Sequence, residues 1–209
     1  SVARNMTGVS VVGGECSAIP FWYSIHNVVV QQLFRDNGLQ PVTRPVGSAL
    51  AANEVNLVVM PPSDMPPALA TKRIAGYIVA EPFNALAEDL NVGRVQRFTG
   101  DLWRNHACCV VFMHEHDLNN RPDWSQKVVN AIVKAQLWTR DNRQAAAQLL
   151  AKDGDNRYTP HSSAVLQKVL APAASDRARY EAEGAIQHRE WDEQRIDFQP
   201  YPFPSYTEE

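Results

Sequence analysis

Over the first half of the chain, short apolar runs alternate with segments whose apolar residues recur at helical spacing. The apolar runs at residues 9–12, 55–60 and 75–80 predict buried strands. The apolar residues of segment 24–36 recur every three to four positions, which predicts an amphipathic helix with Gly38 as its C-cap. Because strands that alternate with helices form a mostly parallel sheet, the pattern predicts an α/β fold.

The same patterns predict further elements on both sides of this region. Additional strands are predicted at 17–20, 92–98 and 108–113, and shorter helices at 63–71 and 82–90. From Arg121 onward only helical spacing remains. Pro122 suits the first turn of a helix, whose apolar stripe comprises Val128, Val129, Ile132, Val133 and Leu137. Further helices are predicted at 141–151, 161–170 and 177–184, and an extended tail packed on the body at 195–205.

The composition is that of an ordinary globular protein. Of the 209 residues, 44% are hydrophobic and 21% are charged, and the net charge is −3. Such a balance gives no basic surface for nucleic acid. No apolar run approaches the roughly 20 residues that a membrane-spanning helix needs.

The three cysteines leave one question open. Cys108 and Cys109 are adjacent, and on a strand their side chains would point to opposite faces. A disulfide between neighbours is strained, so we expect structural thiols. A disulfide from Cys16 to Cys108 or to Cys109 stays open as an alternative in an oxidising compartment.

The segment around Glu81 carries the first candidate site. The apolar run at 75–80 stops at Glu81 and Pro82, and a helical pattern follows, so Glu81 is predicted at the carboxyl end of a strand. Ligands bind at that edge of open α/β sheets. Tyr77 lies four residues earlier, on the same face of an ideal strand. The competing interpretation is that Glu81 caps the following helix.

The turn at 20–27 carries the second candidate site. Ser24 is placed to cap the helix, so that the backbone N–H groups of residues 25–27 point outward with the positive end of the helix dipole. Such an end binds anions, and Trp22 and Tyr23 would wall a flat ligand. The alternative is that Ser24 is only a cap and Trp22 only core.

A metal site is a weaker hypothesis. His106, Cys108, His114 and His116 share one face of an extended strand, but alternate residues diverge by about 6.5 Å and cannot close a tetrahedron alone. Burial among Val110, Val111 and Phe112 would also make Cys108 unreactive. We therefore predict no metal, no cofactor and no catalytic residue.

Four sequence words in this order resemble one known family. They are PFWYSIH at 20–26, MPPSDMP at 60–66, GYIVAEPFNALAE at 76–88 and GDLWRNHACC at 100–109. The succession resembles the solute-binding proteins of ABC importers, in the group that takes nitrate, sulfonates, bicarbonate or thiamine pyrimidines. The likeness runs from about residue 19 to about residue 153.

The resemblance implies a periplasmic binding fold of type II, with two lobes joined by a hinge. Residues 15–106 would form the second lobe, and residues 1–14 and 107–209 would belong to a first lobe that is incomplete in this chain. The hinge is expected in segment 100–106, where Trp103 would contact ligand or pack at the lobe boundary. The ligand-binding residues implied in this way are Trp22, Tyr23, Ser24, His26, Tyr77, Glu81 and Trp103.

The resemblance also implies a function. The chain would be the extracytoplasmic solute-binding component of an ABC importer, acting as a monomer with a membrane permease as partner. It would be periplasmic or extracellular, with a lipid anchor as an open alternative. Residues 1–4 do not resemble a signal peptide, so a mature or trimmed form is expected.

A thiamine-precursor pyrimidine is the preferred solute. Family members that bind an aminopyrimidine use a tyrosine and a glutamate at the spacing of Tyr77 and Glu81, and a carboxylate suits an amidine-like edge but repels an oxyanion. The alternatives are an importer of nitrate, sulfonate or bicarbonate, a pyrimidine-synthesis enzyme of the same fold, and a sensory binding module.

Overall fold

The computed structural model describes residues 2–4, 10–12, 14–103, 108–188, 190 and 194–200, with side chains from residue 14 onward. The chain divides into two compact units. One comprises Ser1–Leu102 with Ala173–Trp191, and the other comprises Trp103–Pro172 with Asp192–Glu209. Each unit is described by itself below.

The first unit is built on a four-stranded parallel sheet. Its strands lie in the order β4-β5-β3-β6. Their bounds are Glu15–Ile19 for β3, Gln40–Val42 for β4, Glu54–Val59 for β5 and Gly76–Tyr77 for β6. This arrangement confirms the predicted parallel sheet. The predicted strand at 75–80 is paired over fewer residues than expected, although the Ile78 N–H still donates to the Ala18 carbonyl at 3.1 Å.

Helices cover both faces of this sheet. Helix α1 (Ile25–Asp36) buries Val30 and Phe34 against Ile19 of β3. On the other face, helix α2 (Met65–Ala70) packs Met65 against Ala18. Since successive strand residues point to opposite faces, the adjacent pair Ala18 and Ile19 serves both cores. Sheets buried in this way on both faces are typical of parallel α/β folds.

The remaining helices of this unit are short. They are α3 (Phe83–Asp89), α4 (Thr99–Leu102) and α9 (Ala174–Ala182), preceded in the chain by a 3₁₀ turn at Pro62–Asp64. A separate antiparallel pair joins β1 (Val2–Arg4) to β2 (Ser10–Val12), which confirms part of the strand predicted at 9–12. Gly38 follows α1 with φ of 74°, and its N–H donates to the Arg35 carbonyl, as expected of a glycine that closes a helix.

Segment 92–98 is not a strand, so that prediction was wrong. Instead, Val95 and Phe98 pack in an apolar cluster with Tyr180 of α9, where the rings of Phe98 and Tyr180 meet edge-on with centroids 4.9 Å apart. Residues 174–188 thus pack on the unit that carries the sheet, whereas the sequence placed them in the other lobe. The assignment of lobes itself remains a prediction.

The second unit is helical over its described residues. It contains α5 (Glu115–Asn120), α6 (Pro122–Asp141), α7 (Arg143–Leu150) and α8 (Ser163–Leu170). Helices α7 and α8 pack through Ala147 and Leu166, and the tail adds Ile196 and Phe198 to the same core. Arg143 holds the tail by donating to the Ile196 carbonyl at 2.9 Å. The predicted packed tail is confirmed up to residue 200, and residues 201–205 lie outside the described part.

Segment 108–113 is neither a strand nor buried, which contradicts its prediction. Val110, Val111 and Phe112 are exposed by 53%, 60% and 89%, and no strand of the described chain pairs with them. An apolar run alone does not make a strand, because a strand also needs a neighbour for its backbone groups. Over the described residues, every helix is too short or too polar to cross a membrane.

We predict that Asn56 fastens the chain beyond β4 to the sheet. Its amide is buried, and it accepts from the Arg44 N–H at 2.8 Å and donates to the Arg44 carbonyl at 3.0 Å. Asn56→Leu leaves both backbone groups without these partners, which should lower the free energy of unfolding by about 2–4 kcal/mol. Urea denaturation measures the change. The exposed Asn53→Leu is the matched control, and equal losses in both variants would contradict the prediction.

Candidate functional site

The carboxyl edge of the sheet gathers the turns that follow β3, β5 and β6. These strands are parallel neighbours, so residues 20–24, 60–64 and 78–82 leave the sheet at the same edge. Five of the seven predicted site residues lie in the first and third of these turns or at the start of α1, and a sixth, Tyr77, is the last residue of β6. Most of the site residues predicted from the sequence therefore lie at one edge of the sheet, which we call the carboxyl edge.

The turn after β3 is fastened by its own side chains. The Ser24 hydroxyl donates to the Phe21 carbonyl at 2.8 Å and accepts from the Asn27 N–H at 3.3 Å. The buried Asn27 amide donates to the Trp22 carbonyl at 2.9 Å, and Gln31 in turn donates to Asn27. These contacts fix the turn before any ligand arrives. Sequence analysis considered only the backbone N–H of Asn27 and missed the role of its side chain, although an asparagine in the first turn of a helix is a signal for such a bond.

The aromatic residues of this turn face solvent. Tyr23 is exposed by 90% and Trp22 by 39%, and the rings of Phe21 and Tyr23 are tilted against each other with centroids 5.5 Å apart. Trp22 is thus not core, contrary to the alternative interpretation of this residue. Exposed aromatic side chains next to a fixed turn provide flat, apolar contact surface for a small solute.

The first turn of α1 points its backbone N–H groups toward this edge. Ser24 is the N-cap, and the helix has 12 residues, so the positive end of a full helix dipole lies here. His26 is buried in the first turn rather than exposed at the edge. Ser24 and His26 therefore build the turn, while Trp22 and Tyr23 present its surface.

Tyr77 and Glu81 both hold the first turn of α3. The Tyr77 hydroxyl donates to the Phe83 carbonyl at 2.9 Å, and a carboxylate oxygen of Glu81 accepts from the Ala85 N–H at 3.1 Å. Asn84 closes the same loop by donating to the Val79 carbonyl at 2.7 Å. Glu81 therefore caps α3, as one of the two interpretations expected. A ligand contact by Tyr77 or Glu81 remains a prediction.

Trp103 belongs to the other compact unit and is 41% exposed. The residues on its C-terminal side, 104–107, lie outside the described part of the chain. A ligand contact by Trp103 stays a prediction.

Asp101, two residues before Trp103, has a role that the sequence did not signal. Its carboxylate is fully buried and accepts from the backbone N–H groups of Gln187 at 3.0 Å and His188 at 2.8 Å. Arg97 forms an ion pair with it at 2.6 Å. Asp101 thus ties two segments that are 86 residues apart within the first unit, at the place where the chain leaves that unit.

Within the described ranges, no group of three or more His, Cys, Asp or Glu side chains is arranged to hold a metal ion. His114 accepts from the His116 N–H at 3.1 Å and so caps α5, and His106 lies outside the described residues. His161 is buried, and burial together with the charge of Lys152 lowers its pKa.

A shallow groove lies at the opposite, amino-terminal edge of the same sheet. Glu15, which begins β3, and Ala75, which precedes β6, line it with Lys72 and Asn91. Because ligands of open α/β sheets bind at the carboxyl ends of strands, we regard the carboxyl edge as the candidate site.

Comparison with known proteins gives the family. The sequence pattern of the NMT1-like family matches residues 12–152, which is more than half of the chain. This chain belongs to the NMT1-like family. The matched range contains all the strands of the parallel sheet and all seven predicted site residues, and the suspected resemblance is confirmed.

Two relatives of this NMT1-like protein belong to transport systems. It is 27% identical over 146 residues to the nitrate/nitrite binding protein NrtA of Synechococcus elongatus. That alignment covers 66% of this chain and 29% of NrtA. It is 32% identical over 97 residues to the nitrate import ATP-binding protein NrtC of Synechocystis, covering 46% of this chain and 14% of NrtC. The chain thus spans less than a third of the length of these two relatives.

A solved structure shows the fold. The ligand-binding component of an ABC-type import system from Staphylococcus aureus, determined with zinc bound, aligns with a TM-score of 0.59 at 22% identity. The alignment covers 94% of this chain and 64% of that protein. Together with the parallel sheet, this match confirms the predicted α/β fold of the type II periplasmic binding kind.

We predict that Glu81 stabilises α3 as a cap. Glu81→Ala removes the acceptor of the Ala85 N–H and should lower the free energy of unfolding by about 1 kcal/mol. Glu81→Gln keeps an acceptor oxygen and loses only the charge at the helix end, so it should cost less. Urea denaturation measures both variants beside Asp64→Ala, whose carboxylate makes no capping bond to α2. A loss in Glu81→Ala no larger than in Asp64→Ala would contradict the cap.

Proposed function

We propose that this NMT1-like chain forms part of the extracytoplasmic solute-binding component of an ABC importer, and that the solute binds at the carboxyl edge. Membership of the NMT1-like family and the names of the relatives support a function in transport. The choice of site rests on the turn at 20–24. There, hydrogen bonds within the turn fix the N-terminal end of α1, and the exposed rings of Trp22 and Tyr23 lie beside it.

For the ligand class we favour a small oxyanion over a pyrimidine. The preference for a pyrimidine assumed that Tyr77 and Glu81 face the solute. In the structure, each of them forms a hydrogen bond to the backbone in the first turn of α3. The helix dipole of α3 also offsets the charge of Glu81, which weakens its repulsion of an anion. The named relatives bind or import nitrate and nitrite, which is consistent with an oxyanion at the positive end of α1.

The exposed aromatic residues of the turn suit a planar oxyanion as well as they suit a pyrimidine ring. A planar oxyanion such as nitrate or bicarbonate has flat faces that pack on an indole or a phenol, while its oxygens accept from backbone N–H groups. Binding to fixed donors needs little rearrangement, so less of the binding free energy is lost in ordering the site. The solute is therefore held by position and charge rather than by reaction.

The partners follow from this function. The loaded protein would deliver its solute to a membrane permease whose transport is driven by an ATPase, and it would act outside the cytoplasm as a monomer. The proposal involves no nucleic acid and no chemistry on the solute. Recovering the solute unchanged after incubation separates this function from a pyrimidine-synthesis enzyme of the same fold.

The decisive experiment is isothermal titration of the purified protein with nitrate, nitrite, bicarbonate, taurine and hydroxymethyl pyrimidine. We expect an oxyanion to bind, and Trp22→Ala to weaken its binding roughly tenfold, about 1.4 kcal/mol, because the ring packs on its face. Glu81→Gln should leave the affinity within about twofold. Tyr158→Ala, an exposed aromatic of the helical unit, serves as the matched control and should have no effect.

The opposite pattern would overturn the choice of ligand. If only the pyrimidine binds, and Glu81→Gln abolishes its binding while Trp22→Ala does not, then Glu81 contacts the solute and the oxyanion assignment is wrong. If none of the five solutes binds, the proposed solute class is wrong.

A further inference from the structure

The adjacent thiols of Cys108 and Cys109 lie together on the surface of the helical unit. Both residues are exposed, in a segment without helix or strand. On the predicted strand their side chains would have pointed to opposite faces. Instead the two sulfur atoms are 3.6 Å apart, with the Cys109 thiol donating to the Cys108 sulfur. The structure thus presents a vicinal dithiol, with both residues exposed and the two sulfurs close together.

Such a pair resists conversion to a disulfide. The Cα atoms of neighbouring residues across a trans peptide are about 3.8 Å apart, whereas disulfides join Cα atoms at about 4.4–6.8 Å. Closing the bond would therefore strain the backbone. Two thiols farther apart in sequence would readily oxidise at the same separation, but this pair is held in its reduced form.

The separation of the sulfurs suits a shared cation. Zinc bound by thiolates has Zn–S distances of about 2.3 Å, and a tetrahedral angle then puts two sulfurs about 3.8 Å apart. The observed distance of 3.6 Å between the two sulfur atoms is close to that tetrahedral separation. We propose that Cys108 and Cys109 form a bidentate site for one soft, thiophilic d¹⁰ cation of the zinc and cadmium class, with water completing the coordination.

A cation bound by this pair would have to displace thiol protons. Burial of its sulfur, together with the charge and hydrogen bond of the neighbouring Cys109, raises the pKa of Cys108 to about 12. Two thiolates at this distance repel each other, and a bound cation removes that repulsion. Binding must therefore release thiol protons, so affinity should rise with pH across the neutral range.

Cys16 provides an internal control. It lies half-buried on β3 in the other compact unit, and its sulfur accepts from the Asn56 amide at 3.9 Å. A lone thiol binds a soft cation through one bond only, so Cys16 should contribute little beside the dithiol.

The test is a titration of the reduced protein with Cd²⁺ alone, without oxygen, followed by the ultraviolet charge-transfer band of cadmium–thiolate bonds. We expect the band to saturate at one equivalent, with protons released and tighter binding at higher pH. Cys108→Ser and Cys109→Ser should each weaken binding roughly a hundredfold, because the second bond of a chelate is intramolecular. Cys16→Ser should bind as the unaltered protein does.

Three results would overturn the proposal. The first is saturation that survives in the Cys108→Ser/Cys109→Ser double variant, since the site would then lie elsewhere. The second is an unchanged affinity in either single variant, since the pair would not act as a chelate. The third is a count of one reactive thiol instead of three in the denatured protein as purified, since the pair would then be oxidised.

Discussion

The parallel pairing of β3 with β5 on one side and β6 on the other is the constraint on which the first unit depends. Parallel neighbours require crossover connections, and these are supplied by α1 and α2, which cover opposite faces of the sheet. Every strand of the parallel sheet then ends at the same edge, and α1 and α3 begin there. The carboxyl edge is therefore a consequence of topology, and the side chains of the turns decide what that edge binds.

At this edge, polar side chains mostly serve the protein itself. Ser24 and Asn27 fasten the turn before α1, while Tyr77 and Glu81 fasten the turn before α3. Their hydrogen bonds satisfy backbone groups that helix ends and loops would otherwise leave without partners. What remains for a solute is the helix end and the exposed rings of Trp22 and Tyr23. Under the proposed function, a site with fixed donors and flat walls would recognise a small planar anion by shape and charge.

Much of this arrangement follows from local sequence signals. The spacing of Val30 and Phe34 and the glycine at 38 defined α1, and apolar runs defined β3 and β5, because those signals act within a few residues. The strand predicted at 108–113 was wrong because the sequence does not reveal whether a pairing partner exists. The role of Asp101 was equally hidden, since its partners Gln187 and His188 lie 86 and 87 residues away. The capping bond from the Ala85 N–H to Glu81 was one of two interpretations that the sequence left open, because spacing alone does not determine such a bond.

The most direct measurement is a nitrate titration of isotope-labelled protein followed by backbone amide chemical shifts. Binding at the carboxyl edge predicts the largest changes at residues 22–26, because their N–H groups and rings would contact the anion. Smaller changes should reach α3 through the neighbouring turn. Changes concentrated instead at Lys72, Ala75 and Asn91, in the groove at the amino-terminal edge, would contradict the account and move the site to the other end of the sheet.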